Sequence, residues 1–429
     1  MKNPVLRPAD ILLPPQEADF GKWAVLACDQ FTSQVEYWQQ AEQIVSREPS
    51  TLRMILPEVY LEEHDTPARI QAIHEAMRQY ISAVLTRSVH GYVYVERTQA
   101  DGSVRQGLIG CVDLEDYSYE AGSTPRIRPS ERTVEERIPP RLAVRRGAPL
   151  ESPHILMLAD DPEKAIVEPF AEKKKELRQL YDTELMLGGG RVQAWAVTEE
   201  KDLEEIAKKL EVLDRKERFC NMYEAAQEAV PFALAVGDGN HSLATAKAYW
   251  EEIKKTLPEG KRKNHPARLC LVELENIQSE AIVIEPIHRV LFGADWQQLL
   301  QEIVIYLEEN NIKMLPGPQG EQQFTVISAK ESFAFGIQNA PAPLAVGTLE
   351  EILQKAQRKY PQWQVDYVHG ADAVHDLAQK GAIGVLLPGF EKSDLFKGVA
   401  LGGVLPKKTF SMGHAVEKRY YIECRKIEE

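Results

Sequence analysis

The chain has 429 residues, 44% hydrophobic and 27% charged, with 51 Lys plus Arg against 65 Asp plus Glu and a net charge of −14. That length allows two or three domains, and the acidic balance argues against a general nucleic-acid binder, which needs a basic face. Five scattered cysteines without Cys-x-x-Cys spacing argue against a disulfide framework or zinc cluster. The N-terminus lacks an apolar export segment and no apolar run nears about 18 residues, so a cytoplasmic protein without a membrane span is expected.

In chain order, residues 23–28 read as a strand that ends in Asp29-Gln30-Phe31-Thr32-Ser33, with a helix following through Val45. Ser33 and Glu36 match a capping box, which alone explains them. Yet Asp29, Thr32, Ser33 and Glu36 crowd a strand-to-helix junction. A helix over 66–88 leads into a hairpin of 91–97 and 105–113, turned at Asp101-Gly102. Next comes a basic concentration of Arg126, Arg128, Arg132, Arg137, Arg141, Arg145 and Arg146, threaded with Pro125, Pro129, Pro139 and Pro140. The prolines predict an extended or looped segment. Arginine forks suit phosphate and carboxylate oxygens; the plainer reading pairs several of them with Glu131, Glu135 and Glu136, and most are expected to be structural with one or two reaching the cleft. Residues 153–158 predict a strand and 162–181 a charged helix. Gly188-Gly189-Gly190 lacks the Gly-Lys-[Ser/Thr] ending of a P-loop and reads as a turn before strand 193–197.

The most informative stretch is 237–246. An apolar run over 231–236 predicts a buried strand, and an alanine-rich segment ending near Leu257 predicts a helix. Between them, Gly237-Asp238-Gly239-Asn240-His241-Ser242 sits where a strand hands over to a helix N-terminus. Unpaired N–H groups and the helix dipole make that an anion site. An Asp/Asn turn with a Ser cap is the plainer reading. Beyond it, 268–274 and 282–284 predict strands, and 294–382 an α+β subdomain with a hairpin at 322–327 and 333–337. A final strand is expected over 419–424. The fold class expected is α/β to α+β: a mixed-sheet core over 1–290 with insertions, an α+β subdomain over 291–384, and a segment over 385–429 returning to the core.

No metal-ligand helix motif, Gly-x-Ser-x-Gly elbow or Rossmann fingerprint is present. What remains is anion recognition by His241, His288 with Arg289, the arginines near 126–141 and Lys407/Lys408. Beside these stand carboxylates, chiefly Asp238, Glu36 and Asp29, that suit a base or Mg2+. Phosphoryl transfer uses that mixture, whereas binding a phosphorylated metabolite uses only the cationic half. His64, His74, His90, His265 and His375 read as surface or helix residues.

The string Val236–Ala246 resembles the signature of domain-of-unknown-function family 1015. So do 27–33 with Glu36-Tyr37-Trp38, Leu56-Pro57-Glu58, 135–141, Pro286-Ile287-His288-Arg289 and 406–414, which together span nearly the whole chain. More divergent members carry Asp-Gly-His-His-Arg at the central position. That form is similar to free serine kinases of the ParB/sulfiredoxin-like superfamily. The resemblance implies a ParB-like catalytic part and a pyrophosphate-dependent serine kinase giving O-phospho-L-serine with Mg2+. A nucleotide donor (ADP or ATP) and a non-catalytic phosphometabolite sensor are the alternatives. Carried over, Glu36, Asp238 and His241 are catalytic, with Asp238 on the metal. Asn240, Ser242, Arg137, Arg141, His288 and Arg289 meet phosphate, and Asp29, Gln30, Thr32, Ser33 and Trp38 meet the acceptor. Asn240 and Ser242 stand where the kinase motif has His and Arg, which fits a donor smaller than a nucleotide. Serine and pyrophosphate are the expected partners, with no nucleic acid, and oligomeric state is not readable.

Overall fold

The computed structural model describes all residues except 1, 2, 33, 62–64, 121, 341, 390 and 429. Ser33 and His64 therefore lie outside the described residues. The chain forms two compact units, one of Met1–Pro129, Thr133–Ile282 and Gly413–Glu429, the other of Ser130–Arg132 and Val283–Met412. The expected mixed α/β class, with a large mixed sheet and a separate antiparallel sheet, is what the chain adopts. Among the described residues no helix is long and apolar enough to cross a membrane.

The first unit is built on a nine-stranded sheet. Its order along the main path is Ile127–Pro129, Leu234–Asp238, Leu156–Ala159, Leu269–Asn276, Val104–Asp113, Arg87–Thr98, Arg191–Val197 and Arg178–Glu184, with Ala9–Leu13 also on Arg87–Thr98. Two pairings are parallel, Ile127–Pro129 with Leu234–Asp238 and Leu156–Ala159 with Leu269–Asn276; the rest are antiparallel. The Arg87–Thr98 hairpin closes as expected at Asp101-Gly102, where Gly102 has φ +85. Strand Leu269–Asn276 is buried along nearly its whole length. Its Glu273 stays ionised inside because Arg97 lies 3.0 Å away, whereas Glu275 lies 2.8 Å from Arg105 yet burial pushes its carboxyl up to about 8. A buried charge persists only when paired in this way.

Three elements differ from the sequence expectation. Residues 23–28 and 419–424 do not form strands: Trp23 closes helix Phe20–Trp23, and the two runs make only isolated bridges, such as Leu26 with Arg419, instead of full ladders. Segment 162–181 holds only a short helix Pro169–Lys173 and a single 3-10 turn before strand Arg178–Glu184, because Pro169 starts that helix late and the alternating stretch beyond pairs with Arg191–Val197. The arginine-rich segment is not wholly looped: Pro139 and Pro140 sit in the first turn of helix Ile138–Arg145, where a missing N–H costs nothing.

The second unit carries a seven-stranded sheet whose pairings are all antiparallel. Its hairpin, Gln322–Ile327 with Ser332–Gln338, packs Phe324 on Phe335 at 5.1 Å under helices Trp296–Glu309 and Ala345–Lys359.

Candidate functional site

Strand Leu234–Asp238 hands over to helix Asn240–Thr256 through Gly239, as the sequence predicts. Gly239 has φ +78, and a Cβ there would lie 2.4 Å from the His154 carbonyl oxygen. Glycine is required on both counts. One step earlier, Leu156 pairs with Asp238 while Met157 pairs with Val236, so Gly237 is a bulge residue. A bulge re-aims the next side chain, here Asp238.

The Asp238 carboxylate is the electrostatic centre. Its Oδ1 accepts the Gly239 N–H at 2.7 Å, and its Oδ2 faces Lys418 Nζ at 2.9 Å and His154 Nε2 at 3.4 Å. Burial pushes this carboxyl up, but Lys418 and His154 outweigh it and hold it well below the usual carboxylate range. His154 Nδ1 lies 2.9 Å from the Arg419 carbonyl, which can only accept, so that nitrogen carries a proton.

Lys418 arrives from the far end of the chain. Its carbonyl accepts the Ala27 N–H at 2.7 Å, Tyr420 N–H donates to Val25 at 3.0 Å, and the Tyr420 hydroxyl accepts the Cys28 N–H at 3.3 Å. These bonds hold the terminal segment against 25–28, directly before Asp29. Asp29 accepts from Gln30 at 3.0 Å and pairs with Arg141 at 3.2 Å, and the same guanidinium nitrogen holds Glu58 at 2.6 Å. Burial raises the Asp29 carboxyl, Arg141 lowers it, and the nearby Asp238 charge raises it again; the net shift is downward. The two acidic junctions thus meet, through Asp29 and Asp238.

The remaining candidates fall into three groups. His241 and Ser242 lie in the first turn of helix Asn240–Thr256. His241 Nε2 accepts the Val134 N–H at 3.3 Å, which leaves its ring proton on Nδ1. Ser242 lines a cavity of about 140 Å³ with Cys28, Glu58, Arg141, Thr245 and Tyr420. Burial pushes the Cys28 thiol up to about 11, against the pull of Arg141. Asn240 Oδ1 is buried without a hydrogen-bond partner. Glu36 is exposed in the first turn of helix Val35–Val45, whose N-cap is Gln34. Its neighbour Tyr37 lies against the Arg419 guanidinium, one residue from Lys418.

Others stand elsewhere. Trp38 is 2% exposed and its indole N–H donates to the Phe31 carbonyl at 3.3 Å, so it shapes the loop from the core instead of meeting the acceptor. That bond helps hold Phe31 at φ +49, a left-handed conformation that costs energy. Thr32 and Arg137 are exposed. His288 and Arg289 belong to the second unit. His288 Nδ1 accepts the Leu387 N–H at 3.1 Å, and the fully buried Arg289 pairs with Glu350 at 2.7 Å and donates to Lys408 O. This corrects the expected phosphate role of Arg289, whose buried guanidinium already pairs with Glu350 and main-chain oxygens of its own unit. Lys418 and His154 were not singled out by sequence, and no local motif marks either.

Among the described residues no group of three or more His, Cys, Asp or Glu is placed to hold a metal ion. Asp29 and Asp238, close enough to feel each other's charge, and the unpartnered Asn240 oxygen are nevertheless donors of the kind Mg2+ takes. Mg2+ takes one or two carboxylates and completes its shell with water and phosphate, so these residues fit it.

A family model described as protein of unknown function (DUF1015) matches residues 6–364. No curated protein matches the sequence. Among solved structures, a free serine kinase in complex with AMP is 11% identical, covering 75% of this chain and 91% of that one, with a TM-score of 0.38. A conserved hypothetical protein from Pyrococcus furiosus is 9% identical over 75% and 95%, with a TM-score of 0.37. SbnI from Staphylococcus aureus, truncated at its C-terminus, is 10% identical over 71% and 82%, with a TM-score of 0.35.

Proposed function

This chain belongs to the DUF1015 family, and we propose that its first unit transfers a phosphoryl group from pyrophosphate to the hydroxyl of free L-serine, using Mg2+. The observation that carries the reading is the convergence of Asp29 and Asp238 with Lys418 and Arg141 at the N-terminus of helix Asn240–Thr256. Cations, a helix N-terminus and two carboxylates held ionised are what a polyphosphate and its transfer require.

In this reading the helix N–H groups, the His241 Nδ1–H and Lys418 meet the phosphate oxygens. Asp29 and Asp238 hold the Mg2+, which when bound neutralises charge on the phosphates. Glu36, the exposed carboxylate next to Tyr37, takes the serine hydroxyl proton as that oxygen bonds to phosphorus. The bridging P–O bond breaks and the second phosphate leaves with the electron pair. Arg141 is a positioning residue: it keeps Asp29 ionised and fixed beside Asp238. Trp38 and Phe31 shape the loop that carries Asp29 and leads into the helix of Glu36. The motif resemblance supports the acceptor, and Asn240 and Ser242, in place of the His and Arg of the kinase motif, fit a donor smaller than a nucleotide.

The test is a donor panel. Purified protein with serine and Mg2+ receives pyrophosphate, ADP or ATP, and phosphoserine is followed. Phosphoserine is expected with pyrophosphate, with Glu36→Gln reducing the rate about 10²- to 10⁴-fold and Asp238→Asn reducing it further. Binding of phosphorylated ligands without turnover on any donor overturns the enzyme reading in favour of a sensor.

A further inference from the structure

A second cavity of the first unit, about 600 Å³, is lined by Arg7, Asp10, Lys263, His265, Arg425 and Lys426 among others. Sequence alone reads His265 as a surface or helix residue, but it is only 9% exposed. Its Nδ1 accepts the Ala267 N–H at 3.2 Å, which puts the ring proton on Nε2. Among the described residues that Nε2–H has no acceptor, and neither Lys263 nor Lys426 has a carboxylate partner. An N–H without a protein acceptor on the wall of a cavity is a donor that a ligand oxygen satisfies.

Of the two arginines of the cavity, Arg425 is engaged and Arg7 only in part, since its buried Nε has no hydrogen-bond partner. Arg7 pairs with Asp113 at 2.8 Å, and Arg425 pairs with Glu151 and donates to the Pro266 and Leu269 carbonyls. Beside Arg7 the cavity offers one imidazole N–H and two compact ammonium groups, from the turn 263–265 and from the terminal strand Arg425–Lys426. Such donors, reaching in from separate segments, suit a tetrahedral oxyanion with acceptors on every side. The acid that lines the cavity, Asp10, is bonded to His90 at 2.7 Å.

We propose that this cavity is a second anion site of the protein, taking inorganic phosphate or a phosphate monoester through His265, Lys263 and Lys426. It shares none of these residues with the Asp238 site, so it stands whether or not serine phosphorylation does.

Isothermal titration of the full chain with inorganic phosphate, O-phospho-L-serine and citrate tests it. The comparison uses wild type, the double variant Lys263→Glu/Lys426→Glu and His265→Asn, whose amide oxygen keeps an acceptor for Ala267. Both lysines are exposed, so circular dichroism of the double variant should match wild type. One phosphate-binding event is expected to weaken about a hundredfold in the double variant and about tenfold in His265→Asn, while Asp238→Asn leaves it in place. Preference for free phosphate or for the monoester identifies the source of the ligand. Phosphate binding unchanged in both variants, no binding at all, or citrate binding as tightly as phosphate overturns the proposal.

Discussion

Lys418→Met removes the cation that faces Asp238 and leaves the carboxylate half-buried beside Asp29. At 2.9 Å, Coulomb's law with an effective dielectric of about 20 gives an attraction of roughly 6 kcal/mol. The side chains are 15% and 23% exposed, so water offsets part of that, and rebuilding hydration offsets more. A net loss of about 2–4 kcal/mol is expected, or a fall in Tm of about 5 °C for a unit of this size. The sign with pH follows from the lowered carboxyl of Asp238. A depressed folded-state value contributes stability above the ordinary carboxylate range near pH 4, and that stability is lost as pH falls through the folded value. The Tm gap between wild type and Lys418→Met should therefore be full at pH 7 and narrow in acid. Lys418→Arg should restore most of it. Phosphoserine formation should fall in Lys418→Met at pH 7, with a raised KM for pyrophosphate. Equal Tm values at pH 7, or a gap independent of pH, would refute the assignment of Lys418 as the partner that holds Asp238 ionised.

Other outcomes follow from the same geometry. Arg141→Met leaves Asp29 and Glu58 facing each other without their shared cation; a loss of about 3–5 kcal/mol and an acid limb of the pH–rate profile moved to higher pH are expected, because Asp29 then loses what lowers it. Gly239→Ala meets the His154 carbonyl with φ fixed at +78, so about 1–3 kcal/mol of strain and loss of activity are expected, read by denaturant unfolding and turnover. Trp38→Phe removes one N–H bond to Phe31 and should cost about 1 kcal/mol in the same unfolding assay, with a smaller effect on KM for serine than Asp29→Asn produces.

The strand–Gly–helix junction at Asp238 was legible in the sequence because every part of it is local: an apolar run, two glycines and an alanine-rich helix. The acidic loop after Cys28 was legible for the same reason. Their meeting was expected, but the residue that makes it in the structure is Asp29, and Glu36 stands exposed on the following helix. Lys418 and His154 escaped notice because their role depends on contacts across the chain; His154 and Asp238 are 84 positions apart. The same cause misled the reading of 23–28 and 419–424. Both runs are apolar enough for strands, yet they exchange only a few bonds with each other. Arg289 carried a resemblance to a motif but no local sign that Glu350 already pairs with it. The charged stretch 162–181 shows the limit of periodicity, since Pro169 and the pairing of Tyr181 with Ala194 decided its form.

The most direct measurement uses L-serine labelled with oxygen-18 in its hydroxyl, together with unlabelled pyrophosphate and Mg2+, followed by phosphorus NMR. Attack by the serine oxygen predicts phosphoserine whose phosphorus signal carries the isotope shift, with one unlabelled phosphate released per turnover. Unshifted phosphoserine, two phosphates with no ester, or no change at all would contradict the account.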